Sequence, residues 1–363
     1  MKFGIFNWAM WHESESTSDV LRKVVDEVVL ADELGYQGYW IGEHHFTRHG
    51  IIGNTLTLAA YLAARTERIR LGTAVVVLPL HNPIRVAEEA AMVDVLSNGR
   101  LDLGLGAGYQ RLEFRNLGID INESRERFAE GLAIIKEAWS SEHFSYEGKY
   151  YSWPADDDLI ITPRVVQKGG PPIHIALSAS PATIDLAAQH GLRLLVGGPS
   201  DLLGIAPQVI QRWRDGMVAS GHDPTGIDIP CIKGMYVAPT DADADADIAS
   251  VDTLWDIKLL EQIGSPISPS GEIPPGYEAW NMRQANRRAA LEANTAGTAR
   301  LVGSPETVRQ RIADLQDLGL TSLVSVHGFP GLPPSKIKRS MELFAKEVMP
   351  AFQGEQAELV KSP

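Results

Sequence analysis

Short runs that are apolar at almost every position alternate along this chain with longer segments whose apolar residues recur every three to four positions. The runs are Phe3–Phe6, Tyr39–Ile41, Ile69–Leu78, Leu101–Leu105, Ile173–Leu177, Arg193–Val196, Ile229–Val237 and Leu323–Val326. A strand with one wet face alternates apolar and polar residues, whereas a continuous run marks a strand covered on both faces. Between the runs, Val20–Leu34, Leu56–Ala64, Ile84–Leu96, Glu123–Trp139, Ala182–Gln189, Pro207–Ser220 and Lys336–Val348 read as helices. In the first of these, Leu21, Val24, Val25, Val28 and Ala31 share one face, with Arg22, Lys23, Asp26 and Glu27 on the other. Ser304-Pro305 supplies an N-cap and a first-turn proline for a further helix, and the Asp-Ala repeat from Asp241 suits a helix N-terminus.

Repeated strand–helix units need crossover connections, and these give a parallel sheet. Eight such strands predict an α/β chain folded as one TIM (β/α)8 barrel over residues 1–363. Two stretches interrupt the pattern and read as insertions. Residues 141–172 hold Phe144-Ser145-Tyr146-Glu147-Gly148-Lys149-Tyr150-Tyr151, which suggests a hairpin. Residues 264–280 are rich in Pro, Gly and Ser, as a lid would be.

A formal net charge of −13 argues against nucleic acid and anionic membrane as partners. Cys231 is the one cysteine, so no disulfide forms within the chain. The N-terminus lacks the long apolar core of a signal peptide, and no apolar run approaches the ~18 residues of a membrane helix. These features lead to the expectation of a cytoplasmic protein.

In a parallel barrel, chemistry collects where strands surface at their carboxyl ends. One such end carries Glu43-His44-His45-Phe46. Adjacent side chains on an extended segment face opposite ways, so the two imidazoles do not share one centre, and a metal site is not expected. One histidine reads as an acid/base at the mouth, the other as a partner of Glu43 or backbone. Gly104-Leu105-Gly106-Ala107-Gly108 lets backbone approach a flat or anionic ligand, or simply makes a tight strand exit. Ser178-Ala179-Ser180-Pro181 opens a helix and reads equally well as a phosphate seat or an N-cap. Trp8, Met10 and Trp11 follow the first strand and are candidates for pocket wall.

Glu43-His44-His45-Phe46-Thr47-Arg48-His49-Gly50-Ile51-Ile52-Gly53-Asn54 resembles the corresponding block of the bacterial luciferase-like flavin monooxygenases. The resemblance continues through Leu71–Pro79, His81–Glu88, Ser97–Gly104, Leu301–Val308 and Ser340–Phe344. It implies a barrel binding reduced flavin mononucleotide (FMN) at its carboxyl-terminal mouth. There a flavin C4a-peroxide formed with O2 would insert one oxygen atom into a small apolar aldehyde, ketone or terpene-like substrate, with a separate flavin reductase supplying the reduced flavin. It further implies His44 as the catalytic acid/base, a cis peptide at Ala74-Val75 beneath the isoalloxazine, and Gly106, Ala107, Gly108 and Tyr109 along the same pocket. Ser178, Ala179 and Ser180 would hold the phosphate and ribityl chain, and Trp8, Glu43 and Tyr277 would belong to the substrate pocket or lid. A homodimer through the early helices is implied as well. Where luciferase has a reactive cysteine and an arginine, this chain has Gly106 and Ala107, which argues against light emission and leaves Arg111 or Arg115 to clamp the phosphate. Two alternatives keep the fold: a deazaflavin (F420)-dependent dehydrogenase and a flavin-binding protein without catalysis.

Overall fold

The computed structural model describes residues 1–177, 181–196, 206–249, 251, 265–278, 300–329 and 331–353. In chain order these form β1 (Lys2–Asn7), α1 (Thr17–Glu33), β2 (Gly38–Ile41), α2 (Thr55–Ala63), β3 (Arg70–Thr73), β4 (Val76–Val77), α3 (Pro83–Leu96), β5 (Leu101–Gly106), α4 (Arg111–Asn116) and α5 (Ser124–Ser140). Then follow β6 (Tyr146–Glu147), β7 (Ser152–Trp153), β8 (Ile173–Ala176), α6 (Pro181–Gln189), β9 (Arg193–Leu195), α7 (Ala206–Ala219) and β10 (Pro230–Val237). The last are α8 (Asp241–Ala249), β11 (Leu301–Gly303), α9 (Pro305–Asp317), β12 (Ser322–Val326) and α10 (Pro334–Leu343).

Local chemistry sets the helix starts. Ser16 caps α1 by accepting the Asp19 amide, Asn82 caps α3 ahead of Pro83, and Ser304 caps α9 ahead of Pro305. The stripe Val20, Val24, Val28 and Ala31 buries α1 against the sheet. Each such valine adds roughly 1.5–3 kcal/mol when fully buried.

The main sheet is parallel, in the order β11, β10, β12, β1, β2, β3, β5, β8, β9, with β4 beside β5. Residues alternate between its two faces. Phe3, Ile5, Tyr39, Ile41, Leu101, Leu103 and Leu105 enter the large core shared with the helices. The opposite face packs Trp40 of β2 with Leu195 of β9 and Val324 of β12, and with Phe6 and Ile232. Trp40 and Leu195 lie on strands four places apart in the ladder, so their contact requires the sheet to curl around its own inner face. Small residues make room for the indole: a Cβ on Gly72 would stand 2.3 Å from the Trp40 ring.

The His174 ring meets the indole edge-on and lies near the buried Asp102 carboxylate, which Arg70 also pairs. Arg70 Nε meets Asp102 Oδ2 at 2.7 Å, and His174 Nε2 lies 3.7 Å from Asp102 Oδ1. Burial pushes the Asp102 carboxyl up, but His174 and Arg70 outweigh it and hold the group down at about 2.

The structure refines the sequence expectation in four places. A regularly closed barrel is not seen. The sheet is a curled parallel ladder, and among the described residues β9 meets β10 through one bridge, Val196–Cys231. Among the described residues, Arg193–Leu195 are those of β9 in its ladder with β8. The run Ile69–Leu78 is two strands rather than one, β3 and β4, with the cis Ala74–Val75 peptide between them. β11 is an additional strand on the outer flank of β10, where Arg311 Nη1 donates to the carbonyls of Arg300 and Val302. The closing helix ends as an α-helix at Leu343 and continues as a π-helical turn over Phe344–Val348. The 141–172 stretch does contain an antiparallel hairpin, β6 with β7. Among the described residues no helix is long and apolar enough to cross a membrane.

Candidate functional site

Trp8, His44, Ala74-Val75 and Ala107–Tyr109 follow β1, β2, β3 and β5, so the direction of a parallel sheet puts them on one rim. All of them are half-buried, whereas the residues flanking Ala74-Val75, 71–73 and 76–79, are buried. Ala74 and Val75 therefore present a small apolar shelf, open on one side.

The two adjacent histidines part company at the rim. Nδ1 of His44 lies 2.7 Å from Gln110 Nε2 and 3.2 Å from Glu113 Oε1. Glu113 also accepts the His45 amide at 3.0 Å, which fixes the carboxylate in place. With Nδ1 held on this side, Nε2 is the nitrogen left to work elsewhere. The His45 ring turns instead to Glu43, Nε2 to Oε1 at 3.0 Å.

Glu43, expected at the pocket or lid, is 3% exposed and turned into the rim. Its Oε1 also accepts His81 Nε2 at 2.8 Å, and its Oε2 accepts the Val77 amide at 3.1 Å. Burial raises the Glu43 carboxyl, but the hydrogen bonds and charges of His45 and His81 win, so its pKa is lowered. The same carboxylate, working against burial, raises the pKa of His81.

Aromatic rings continue the rim. Trp8 stacks on Phe6 with centroids 5.1 Å apart, and His49 bridges Trp8 at 5.9 Å to His44 at 4.5 Å. Tyr109 meets the His44 ring edge-on at 6.1 Å. Trp8 Nε1 is buried without a hydrogen-bond partner. The glycines of β5 answer first to their neighbouring strand. A Cβ on Gly104 would fall 1.9 Å from Thr73 O, and one on Gly106 2.6 Å from Val75 Cγ2. The glycine run thus lets the shelf and the β5 exit press together, which is the tight-exit reading of that motif.

The 265–278 segment lies against this exit. Tyr277 is buried, and its hydroxyl donates to the Gly108 carbonyl and lies 3.3 Å from Ser124 Oγ. Arg125 sits over the Tyr277 ring at 5.0 Å and donates to Gly276 O at 3.3 Å and Thr183 Oγ1 at 3.2 Å, while its Nε is buried without a partner. Arg125 is thus the arginine at the first turn of α6. Arg111 instead reaches Pro266 O at 3.5 Å, and Arg115 is exposed. Ser178, Ala179 and Ser180 lie outside the described residues. No group of three or more His, Cys, Asp or Glu side chains placed to hold a metal occurs among the described residues.

Sequence reasoning missed Gln110, Glu113, His81 and Arg125 as members of the site. Gln110 and Glu113 stand where the glycine motif breaks into α4, and that break was the available signal.

Comparison with known proteins agrees with the fold. The family model for luciferase-like monooxygenases matches residues 1–322. An uncharacterised protein of Sinorhizobium fredii is 38% identical over 182 residues, so this chain spans about half of that relative: 50% of this chain and 51% of the other are covered. The oxygenase component of a flavin-dependent trigonelline monooxygenase from Acinetobacter baylyi is 27% identical, over 97% of this chain and 96% of its own. Among solved structures, a monooxygenase from Streptomyces bottropensis superposes with a TM-score of 0.82 at 26% identity, covering 97% of this chain and 100% of the other. The oxygenating constituent of a Pseudomonas putida 3,6-diketocamphane monooxygenase, solved with FMN, shares the fold at a TM-score of 0.78 and 21% identity, over 96% and 98% of the two chains.

Proposed function

The chain belongs to the luciferase-like monooxygenase family, and on that premise we propose that it is the oxygenase of a two-component system. It takes reduced FMN from a separate reductase and transfers one atom of O2 to a small apolar aldehyde, ketone or terpene-like molecule, with the other atom leaving as water. The observation that carries this reading is the juxtaposition on one rim of an apolar shelf open on one side, Ala74-Val75, and an imidazole held from behind, His44. The FMN complex of the diketocamphane enzyme and the oxygenase component among the relatives support the cofactor and the reductase.

The residues present fit such a group. The shelf, Ala107–Tyr109 and Trp8 offer flat, half-buried apolar surface. The partnerless Nε of Arg125, at the first turn of α6, is a donor suited to a phosphate. Reduced flavin would supply the two electrons that the oxygen transfer consumes. His44 would hold or move a proton at Nε2, and Glu113 and Gln110 would orient its ring. Tyr277, docked on Gly108, would exclude water from the rim. A homodimer through α2 and α3 would cover Tyr61, Met92, Val95 and Leu96, which are exposed there.

The test is binding and turnover. Purified protein should bind FMN at micromolar levels and oxidise a carbonyl or terpene panel only with O2 and a flavin reductase. Anaerobic turnover with F420 would replace this reading by the dehydrogenase. A His44→Ala protein that turns over like wild type would remove the histidine from the mechanism.

A further inference from the structure

We infer that Glu43 is a positioning residue for the cofactor shelf: its carboxylate ties the backbone just beyond the Ala74–Val75 bond to two imidazoles, and so sets where the shelf stands on the rim. The inference rests on the reading of the site given above.

The backbone pattern shows why a tie is needed. β2 and β3 pair regularly as far as Ile41 opposite Thr73, and Ala74 N still donates to Ile41 O at 2.7 Å. The cis Ala74–Val75 bond follows. β4 regains a partner on one side only, with Val76 opposite Leu105 and Val77 opposite Gly106. On its other side the Val77 amide donates to Glu43 Oε2 at 3.1 Å. A side chain of the β2 exit thus takes the place of the ladder bond that strand pairing no longer provides. A buried backbone amide needs such an acceptor.

The other oxygen anchors the tie. A carboxylate only accepts, so His45 and His81 both donate from Nε2 to Oε1, at 3.0 and 2.8 Å. His45 belongs to the loop after β2, and His81 follows the short helical turn Leu78–Leu80 after β4. Three donors, Val77 and His81 from the Val75–His81 segment and His45 from the β2 exit, therefore converge on one carboxylate with a side-chain exposure of 1%. Glu43 touches the shelf's support rather than the pocket, which distinguishes it from His44.

The discriminating variant is Glu43→Gln. Glutamine has the same shape but only one acceptor oxygen, so keeping the two imidazoles satisfied points its NH2 at the Val77 N–H. Val77→Pro removes the donor from the other end; Val77 has φ −79°, which proline adopts. Asp32→Asn serves as a control, because Asp32 is a buried carboxylate that accepts the amides of Glu67, Arg68 and Ile69 away from the rim. Hydrogen exchange of the 74–80 peptide in the flavin-free protein, FMN affinity by fluorescence quenching, and the visible circular dichroism of bound FMN are the readouts.

Glu43→Gln and Val77→Pro should each exchange faster over 74–80, bind FMN about tenfold more weakly and alter the flavin dichroism, the factor being that of one hydrogen bond of ordinary charged strength. Asp32→Asn should lower the melting temperature and leave the dichroism of bound FMN as in wild type. Wild-type affinity and dichroism in folded Glu43→Gln, or in Val77→Pro if the first variant does not fold, would overturn the inference while leaving the functional reading intact. If wild-type protein binds no flavin, the functional reading fails instead, and unchanged exchange in Glu43→Gln would overturn the tie by itself.

Discussion

Glu113 reaches across 69 positions of sequence to bring a carboxylate oxygen within 3.2 Å of Nδ1 of His44. It simultaneously accepts the amide of the next residue, His45, so the ring and the backbone beneath it are held by one group. Gln110, one turn earlier on the same strand-to-helix passage, comes within 2.7 Å of the same nitrogen. Replacing Glu113 by Gln should therefore lower kcat by roughly tenfold or more, a fraction of the 10²–10⁴ that a general acid/base supplies. FMN affinity should change by less than about threefold, since Glu113 stands behind the imidazole. Steady-state turnover beside a flavin titration checks both halves.

The packing around Trp40 predicts a stability effect without chemistry. A methyl group on Gly72 would sit 2.3 Å from the indole, and the surrounding strands leave the ring little room to retreat. Gly72→Ala should destabilise by about 1–3 kcal/mol, the usual cost of overpacking, and a urea denaturation series measures it.

Acid should weaken the protein through Asp102. Its folded-state pKa is about 2 against an ordinary 3.8, so the unfolded chain takes up the proton first. The stabilisation is present above pH ~4 and drains away as the pH falls toward 2, amounting to about 2 kcal/mol. Unfolding free energies of wild type and Asp102→Asn, measured from pH 6 down to 2, should converge at the acid end. A constant gap between the two curves would contradict the prediction.

Removing the Tyr277 hydroxyl should loosen the 265–278 segment. Tyr277→Phe loses the contacts to Gly108 O and Ser124 Oγ but keeps the ring under Arg125. One neutral hydrogen bond is worth about 1 kcal/mol, or roughly a fivefold shift toward the undocked form. The expected result is a severalfold rise in hydrogen peroxide released per substrate oxidised, read by a peroxide assay during turnover.

Much of this molecule is legible in its sequence. Continuous apolar runs located the strands because a sheet covered on both faces leaves no polar alternation. The capping signal Ser304-Pro305 falls where α9 begins. What stayed hidden depends on partners distant in sequence. Glu43 reads as a rim residue in any linear scan; only the fold shows its oxygens spent on His45, His81 and Val77. Glu113 and Gln110 carry no periodic signature, because their role is set by where α4 falls relative to the β2 exit. The split of Ile69–Leu78 is likewise invisible to hydropathy, since both sides of the cis bond are equally apolar. β11 escaped because three residues are too few to show a period.

The indole of Trp40, meeting Leu195 and Val324 on the far side of the curl and the His174 ring edge-on, stands across the interior like a bulkhead. A vessel blocked at mid-height is served from its brim.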